Sequence, residues 1–220
     1  MIDEKIKIIS FLGLPASGKG TQAQILADKI GAKVLGIGDL IRDEIENTDI
    51  SDPFYASMKE KYDKGIPQND EVVNDIVKKN IQKFGKNIIF DNFPFSEKQA
   101  DLFFNLCSDI KADIPTLLLV IIDRESAIKR ILSRKVCSSC ETVYIDDGNQ
   151  ICEKCGGALV SRTDDNEETL AKRINEYIPR MEEVAVVFKK KGKVLKIDGE
   201  KSIKEVSEQI FKDLNNANII

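Results

Sequence analysis

The chain has 220 residues, more than one typical domain and fewer than two, so a single core carrying insertions is expected. Apolar residues at 42% and charged residues at 32% mark a soluble globular chain and exclude a disordered or collagen-like one. A net charge of −4 excludes a chain devoted to coating DNA or an anionic membrane, and the absence of histidine removes every imidazole nucleophile, general base and metal ligand.

In chain order, Lys5 to Leu12 is an apolar, β-branched run ending at Gly13, the pattern of a buried parallel strand. From Gly20 a helical face of Ala23, Leu26, Ala27 and Ile30 runs to Gly31, a suitable stop. Further strand-like runs stand at Lys33 to Leu35, Asn87 to Phe90, Thr116 to Ile122 and Lys193 to Ile197, separated by amphipathic segments. Strands alternating with helices predict an α/β fold, a parallel sheet covered on both faces. Two regions break the rhythm. Asp39 to Asn69 reads as a small helical insertion, within which Asp52-Pro53 opens a segment that Gly65-Ile66-Pro67 closes. Val136 to Thr163 is turn-rich and cysteine-bearing, as small hairpins pinned by a metal would be. A long helix is expected from Asn166, bent at Pro179. No run approaches the ~20 apolar residues of a membrane span, and Met1 to Lys5 is unlike a secretory signal, so a cytoplasmic chain is expected.

The segment Gly13-Leu14-Pro15-Ala16-Ser17-Gly18-Lys19-Gly20-Thr21 lies between a buried strand and a helix. In that context the backbone N–H groups of a glycine-rich loop wrap nucleotide phosphates. Glycine at 13, 18 and 20 permits close approach of the backbone. Lys19 can reach the transferring phosphate, and Thr21 can hold Mg²⁺ directly or through water. The competing reading, a glycine-rich turn without a ligand, does not explain the lysine. Asp91 ends a strand at the carboxyl edge of the sheet, where a carboxylate can hold Mg²⁺ through water; the alternative is a helix N-cap.

Cys137, Cys140, Cys152 and Cys155 form two C-x-x-C pairs, a spacing suited to tetrahedral Zn²⁺. Iron in the same site and a pair of disulfides are the alternatives. Four protein thiolates would leave no open position, which makes the role structural. Cys107, with Ala100 and Phe103, reads as a buried core thiol.

The loop resembles that of the adenylate kinase family, within the wider nucleoside monophosphate kinases, whose pattern is G-x-P-G-x-G-K-G-T-Q; Ala16 stands where that pattern has glycine. Gly38-Asp39-Leu40-Ile41-Arg42 is similar to the family's T-G-D-x-x-R, Asp91-Asn92-Phe93-Pro94 to D-G-F-P-R, and Arg162-Thr163-Asp164-Asp165 to R-x-D-D. Zinc-bearing members are similar around the cysteines, including Tyr144 and Gly156-Gly157. The resemblance implies a P-loop fold with a parallel five-stranded sheet between helices, a helical NMP-binding insert and a zinc-bearing lid. The implied parts are a core of 1–37, 69–129 and 167–220, an insert of 38–68 and a lid of 130–166.

It further implies an enzyme moving the γ-phosphoryl of MgATP to a nucleoside monophosphate, AMP first because Gln99 stands where adenine is read. ATP would be held by the loop residues, Arg130, Arg134 and Tyr144. The acceptor would be held by Gly38, Asp39, Arg42, Asn92, Phe95, Gln99, Arg162 and Arg173, with Lys19, Arg130, Arg134, Arg162, Arg173 and Asp91 as the catalytic set. Arginine suits a spread-out anionic transition state, whereas any single helical arginine also fits a surface salt bridge. Asp164 and Asp165 would hold the lid's arginines. Phe95 replaces the family's acceptor-phosphate arginine, Asn92 its glycine and Ile37 its threonine, which implies an altered acceptor site. A kinase for another monophosphate and a nucleotide sensor with weak transfer are the rival readings. A nucleic-acid-binding zinc module is disfavoured because the cysteine region has few basic residues and little aromatic interleaving. A monomer is expected, because the inserts must move freely.

Overall fold

The computed structural model describes residues 6–49, 51–64, 66–140, 142–146, 148–161 and 167–220, with backbone alone for 82, 145 and 167–173. Five strands, β1 (Lys7–Gly13), β2 (Lys33–Gly36), β3 (Asn87–Asp91), β4 (Thr116–Ile121) and β8 (Lys193–Asp198), form one parallel sheet in the order β2-β3-β1-β4-β8. All five strands expected from the sequence are present. β1 lies at the centre, paired with β3 on one side and β4 on the other, and is buried from Ile8 onwards. This explains why its sequence is continuously apolar rather than alternating.

Alternate side chains of β1 serve opposite layers. Ile8 and Leu12 pack with Leu35, Ile88, Phe90 and Leu117 under helices α4 (Asp70–Ile81), α5 (Glu97–Asp109) and α7 (Glu167–Lys191). Ile9 and Phe11 pack with Ile89, Leu118 and Ile197 under α1 (Lys19–Ile30) and α8 (Ile203–Asn216). Phe90, Phe93 and Phe103 form a triangle of rings with centroids 5.2 to 5.5 Å apart beneath the carboxyl end of β3. Cys107 is buried in the same layer, and burial pushes its thiol up to about 12, as suits an inert core cysteine.

The helical region between β2 and α4 holds α2 (Ile37–Glu46) and α3 (Pro53–Asp63). Pro53 opens α3, and the Asp52 side chain accepts a hydrogen bond from the Phe54 N–H at 2.8 Å. Gly65, within the expected closing turn, lies outside the described residues. The cysteine region folds as an antiparallel sheet of β5 (Arg134–Cys137), β6 (Val143–Ile145) and β7 (Leu159–Val160), in the order β6-β5-β7. It follows α6 (Arg124–Leu132) and precedes α7, which contains Pro179 as expected. Among the described residues no helix is long and apolar enough to cross a membrane.

Candidate active site

The carboxyl edge of the parallel sheet carries the site, because every strand delivers its following loop there. The loop after β1 turns through two left-handed residues, Ala16 at φ 59° and Gly18 at φ 86°, before α1 begins at Lys19. Gly13 has no room for a side chain: a β-carbon there would lie 2.5 Å from Ser17 Oγ and 2.7 Å from the Val120 carbonyl oxygen. The exposed N–H groups at the start of α1 and the side chain of Lys19 therefore face one concavity, a ready-made anion site.

That concavity is a cavity of about 550 Å³ lined by the whole loop from Pro15 to Gln22, by Asp91, Arg130, Arg134 and Tyr144, and by residues on the far wall. Each sequence-expected ATP-binding residue from Pro15 to Thr21 is gathered here, with Gly13 buried beneath the loop. Arg130 is anchored on α6: one Nη donates to the Gly199 carbonyl oxygen at 2.8 Å, and the other to Glu200 Oε2 at 3.3 Å. Glu200 is itself held by the Asp123 N–H at 2.7 Å. Tyr144 reaches the cavity from β6 while its hydroxyl lies 3.3 Å from Cys152 Sγ.

Several lining residues escaped the sequence reading: Val143, Tyr177, Gly199, Lys201, Ser202 and Ile203. One signal was available. Ser202 and Glu205 form a capping box that opens α8, so a second helix start was legible just after the last strand. Nothing in the local pattern, however, announces that it faces Lys19.

Asp91 closes β3, and its Oδ1 is buried with no hydrogen-bond partner among the described residues. Burial raises its carboxyl above the ordinary aspartate range and Asp39 adds to this, while Lys19 opposes it. The N-cap alternative is corrected: Ser96 caps the following helix, its hydroxyl accepting from the Gln99 N–H at 3.0 Å. An orphaned, desolvated carboxylate oxygen beside the phosphate loop suits a hydrated divalent cation.

On the other side of Asp91, Gly38, Asp39 and Arg42 lie in α2, where Arg42 forms an ion pair with Asp39. Gln99 is tightly oriented. Its Oε1 accepts from the Phe95 N–H at 2.8 Å and its Nε2 donates to Asp70 Oδ1 at 2.8 Å, leaving one N–H and one lone pair without a partner among the described residues. Asn92 adopts φ 62°, so the left-handed turn persists without glycine, as asparagine tolerates. Phe95 packs against Tyr177, with ring centroids 4.4 Å apart. Ile37 starts α2 and packs at the margin of the core. Lys135 bonds Ser161 Oγ at 3.0 Å and pairs with Asp146 at 3.3 Å. Arg162, Thr163, Asp164 and Asp165 lie outside the described residues; Arg173 falls in α7, but its side chain does too.

The four expected metal ligands converge. Their sulfurs all lie within 4.8 Å of one another, with Cys137 to Cys155 at 3.4 Å and Cys140 to Cys152 at 3.6 Å. All five cysteines are free, which removes the disulfide alternative. Tetrahedral ligation at about 2.3 Å would place sulfurs roughly 3.8 Å apart, close to the spacing found, so the donor set fits a zinc-sized ion.

The family model described as adenylate kinase matches residues 11–193. The chain is 33% identical over 210 residues to an adenylate kinase of Syntrophotalea carbinolica, covering 92% of this chain and 96% of that protein. It is 34% identical to one of Archaeoglobus fulgidus, covering 91% and 94%, and 32% identical to one of Acetivibrio thermocellus, covering 93% and 96%. With the phosphate loop, the two sides of Asp91 and these similarities in place, the chain belongs to the adenylate kinase family of phosphotransferases.

Proposed function

We propose that this protein transfers the γ-phosphoryl group of MgATP to AMP, giving two ADP. The observation that carries the reading is Asp91, set between Lys19 of the phosphate loop and Asp39 of α2, with a donor cavity on one side and the oriented Gln99 amide on the other. A single carboxylate between a nucleotide-sized cavity and an oriented amide suits a reaction joining two nucleotides in line.

In this reading the loop from Gly13 to Thr21 wraps the donor phosphates, and Lys19 follows the charge that moves toward the bridging oxygen as the γ-phosphorus leaves it. Arg134 adds charge at the same end. Arg130, fixed by Gly199 and Glu200, lines the same cavity and flanks the donor phosphates with Arg134. An acceptor phosphate oxygen forms the new bond to phosphorus, so no general base is needed and positioning dominates. Arg42 and Gln99 serve the acceptor, together with Arg162 and Arg173. Asp91 and Thr21 would hold Mg²⁺ through water, and that ion, when bound, neutralises phosphate charge. Cys137, Cys140, Cys152 and Cys155 would hold a structural Zn²⁺, with iron the alternative ion. We take the helical region 38–68 and the segment 130–166 as the two parts that close over the substrates, and a monomer as the working unit.

The test is ADP formation from MgATP with a panel of nucleoside monophosphates. AMP as the best acceptor supports the reading. A stronger acceptor among the other monophosphates would reassign the acceptor, and tight ATP binding without transfer to any of them would leave a sensor.

A further inference from the structure

Arg180 lies on α7 one turn beyond Tyr177, so the two side chains share a helix face. Both meet Phe95. The Tyr177 ring is 4.4 Å away by centroids, and the Arg180 guanidinium carbon stands 5.5 Å from the Phe95 ring centroid. All three residues are half-buried. A half-buried guanidinium keeps some access to water, so its charge and its N–H donors stay available to a ligand where no carboxylate takes them. Among the described residues none pairs with Arg180, whose only contact of this kind is the ring. An aromatic face answers part of the charge and uses none of the five N–H donors.

The location gives those donors a purpose. Phe95 follows the Asp91 turn at the carboxyl end of β3, and its N–H is held by Gln99. Tyr177, on the same helix face as Arg180, lines the donor cavity. Phe95 therefore stands between that cavity and the Gln99 amide, where the acceptor's phosphate must come to meet the donor. Resting on the reading of the chain as a nucleoside monophosphate kinase, the geometry points to Arg180, presented on the Phe95 ring, as a binding residue for the acceptor's phosphate. A planar fork of donors suits a phosphate monoester, and the ring beneath it limits the orientations the fork can take.

Arg180→Met keeps an apolar stem on Phe95 and removes the charge; Arg180→Lys keeps the charge and loses the fork. Equilibrium binding of AMP and of adenosine, with kinetics for AMP and ATP, reads the contact separately from folding, which a thermal midpoint monitors. Expected in Arg180→Met are a KM and Kd for AMP about 10 to 100-fold higher, an unchanged Kd for adenosine and an ATP KM within about twofold. Arg180→Lys should fall between. Unchanged AMP affinity in Arg180→Met, or equal losses for AMP and adenosine, overturns the assignment while leaving the kinase reading intact. A native protein that binds no nucleoside monophosphate sinks that reading, and the assignment with it.

Discussion

A β-carbon built on Gly20 would lie 3.0 Å from Oδ2 of Asp91, so the first turn of α1 and the end of β3 meet through a single carboxylate. The proximity ties the phosphate loop to the strand that leads into the proposed acceptor side. It also explains the desolvation of Asp91, whose Oδ1 has no described partner.

Asp91→Asn should therefore separate stability from activity. Burial raises the Asp91 carboxyl, so the folded chain holds that proton more readily than the unfolded one. Its contribution to stability is present at low pH and is lost as pH rises through the raised value. At pH 7 the ionised group thus costs stability, and the variant should melt at a higher temperature than the native protein. That advantage should shrink as pH falls toward the ordinary aspartate range, while kcat/KM drops by about tenfold or more. Thermal melts across pH 4 to 8, paired with kinetics at pH 7, check both halves.

Lys19→Ala should abolish transfer while leaving the fold intact. The side chain lines the cavity, and in the proposed reaction it contributes charge where charge develops. A fall in kcat/KM of about 10³ or more with an unchanged circular dichroism spectrum is expected. A normal turnover number in this variant would mean the loop does not serve the phosphates.

Metal removal should loosen the small antiparallel sheet before the parallel one. β5, β6 and β7 are short, and Val143, Ile151 and Val160 are exposed, so few apolar contacts hold the region apart from its four cysteines. Elemental analysis should find one zinc or iron per chain. Cys140→Ser should lose it and raise amide exchange across residues 134–160, while β1 and β4 stay protected. Full occupancy in that variant, or simultaneous loss of both sheets, would contradict the expectation.

Ala16→Gly should stabilise the chain. Ala16 holds φ 59°, a region that costs an alanine about 1 to 2 kcal/mol, of which the extra freedom of an unfolded glycine returns roughly half. A gain of about 0.5 to 1 kcal/mol in denaturant unfolding is expected. Asn92→Gly, at φ 62°, should change less because asparagine already tolerates that conformation.

Features carried by contiguous residues were legible from the sequence alone. The five strands, the loop from Gly13 to Thr21 and the two cysteine pairs each owe their chemistry to neighbours in the chain, where hydrophobic period and spacing speak directly. Only the tertiary structure decided which distant segments meet. The order β2-β3-β1-β4-β8 sets β8 beside β4, which carries Gly199 and Glu200 against Arg130 and turns the start of α8 toward Lys19. The pairing of Asp70 with Gln99 arises from α4 packed beside α5, and the seat of Arg180 on Phe95 from α7 packed beside α5 and the loop that leads into it. No local pattern encodes such contacts, because each residue alone is equally at home on a solvated surface. Burial between elements is what makes its partner matter.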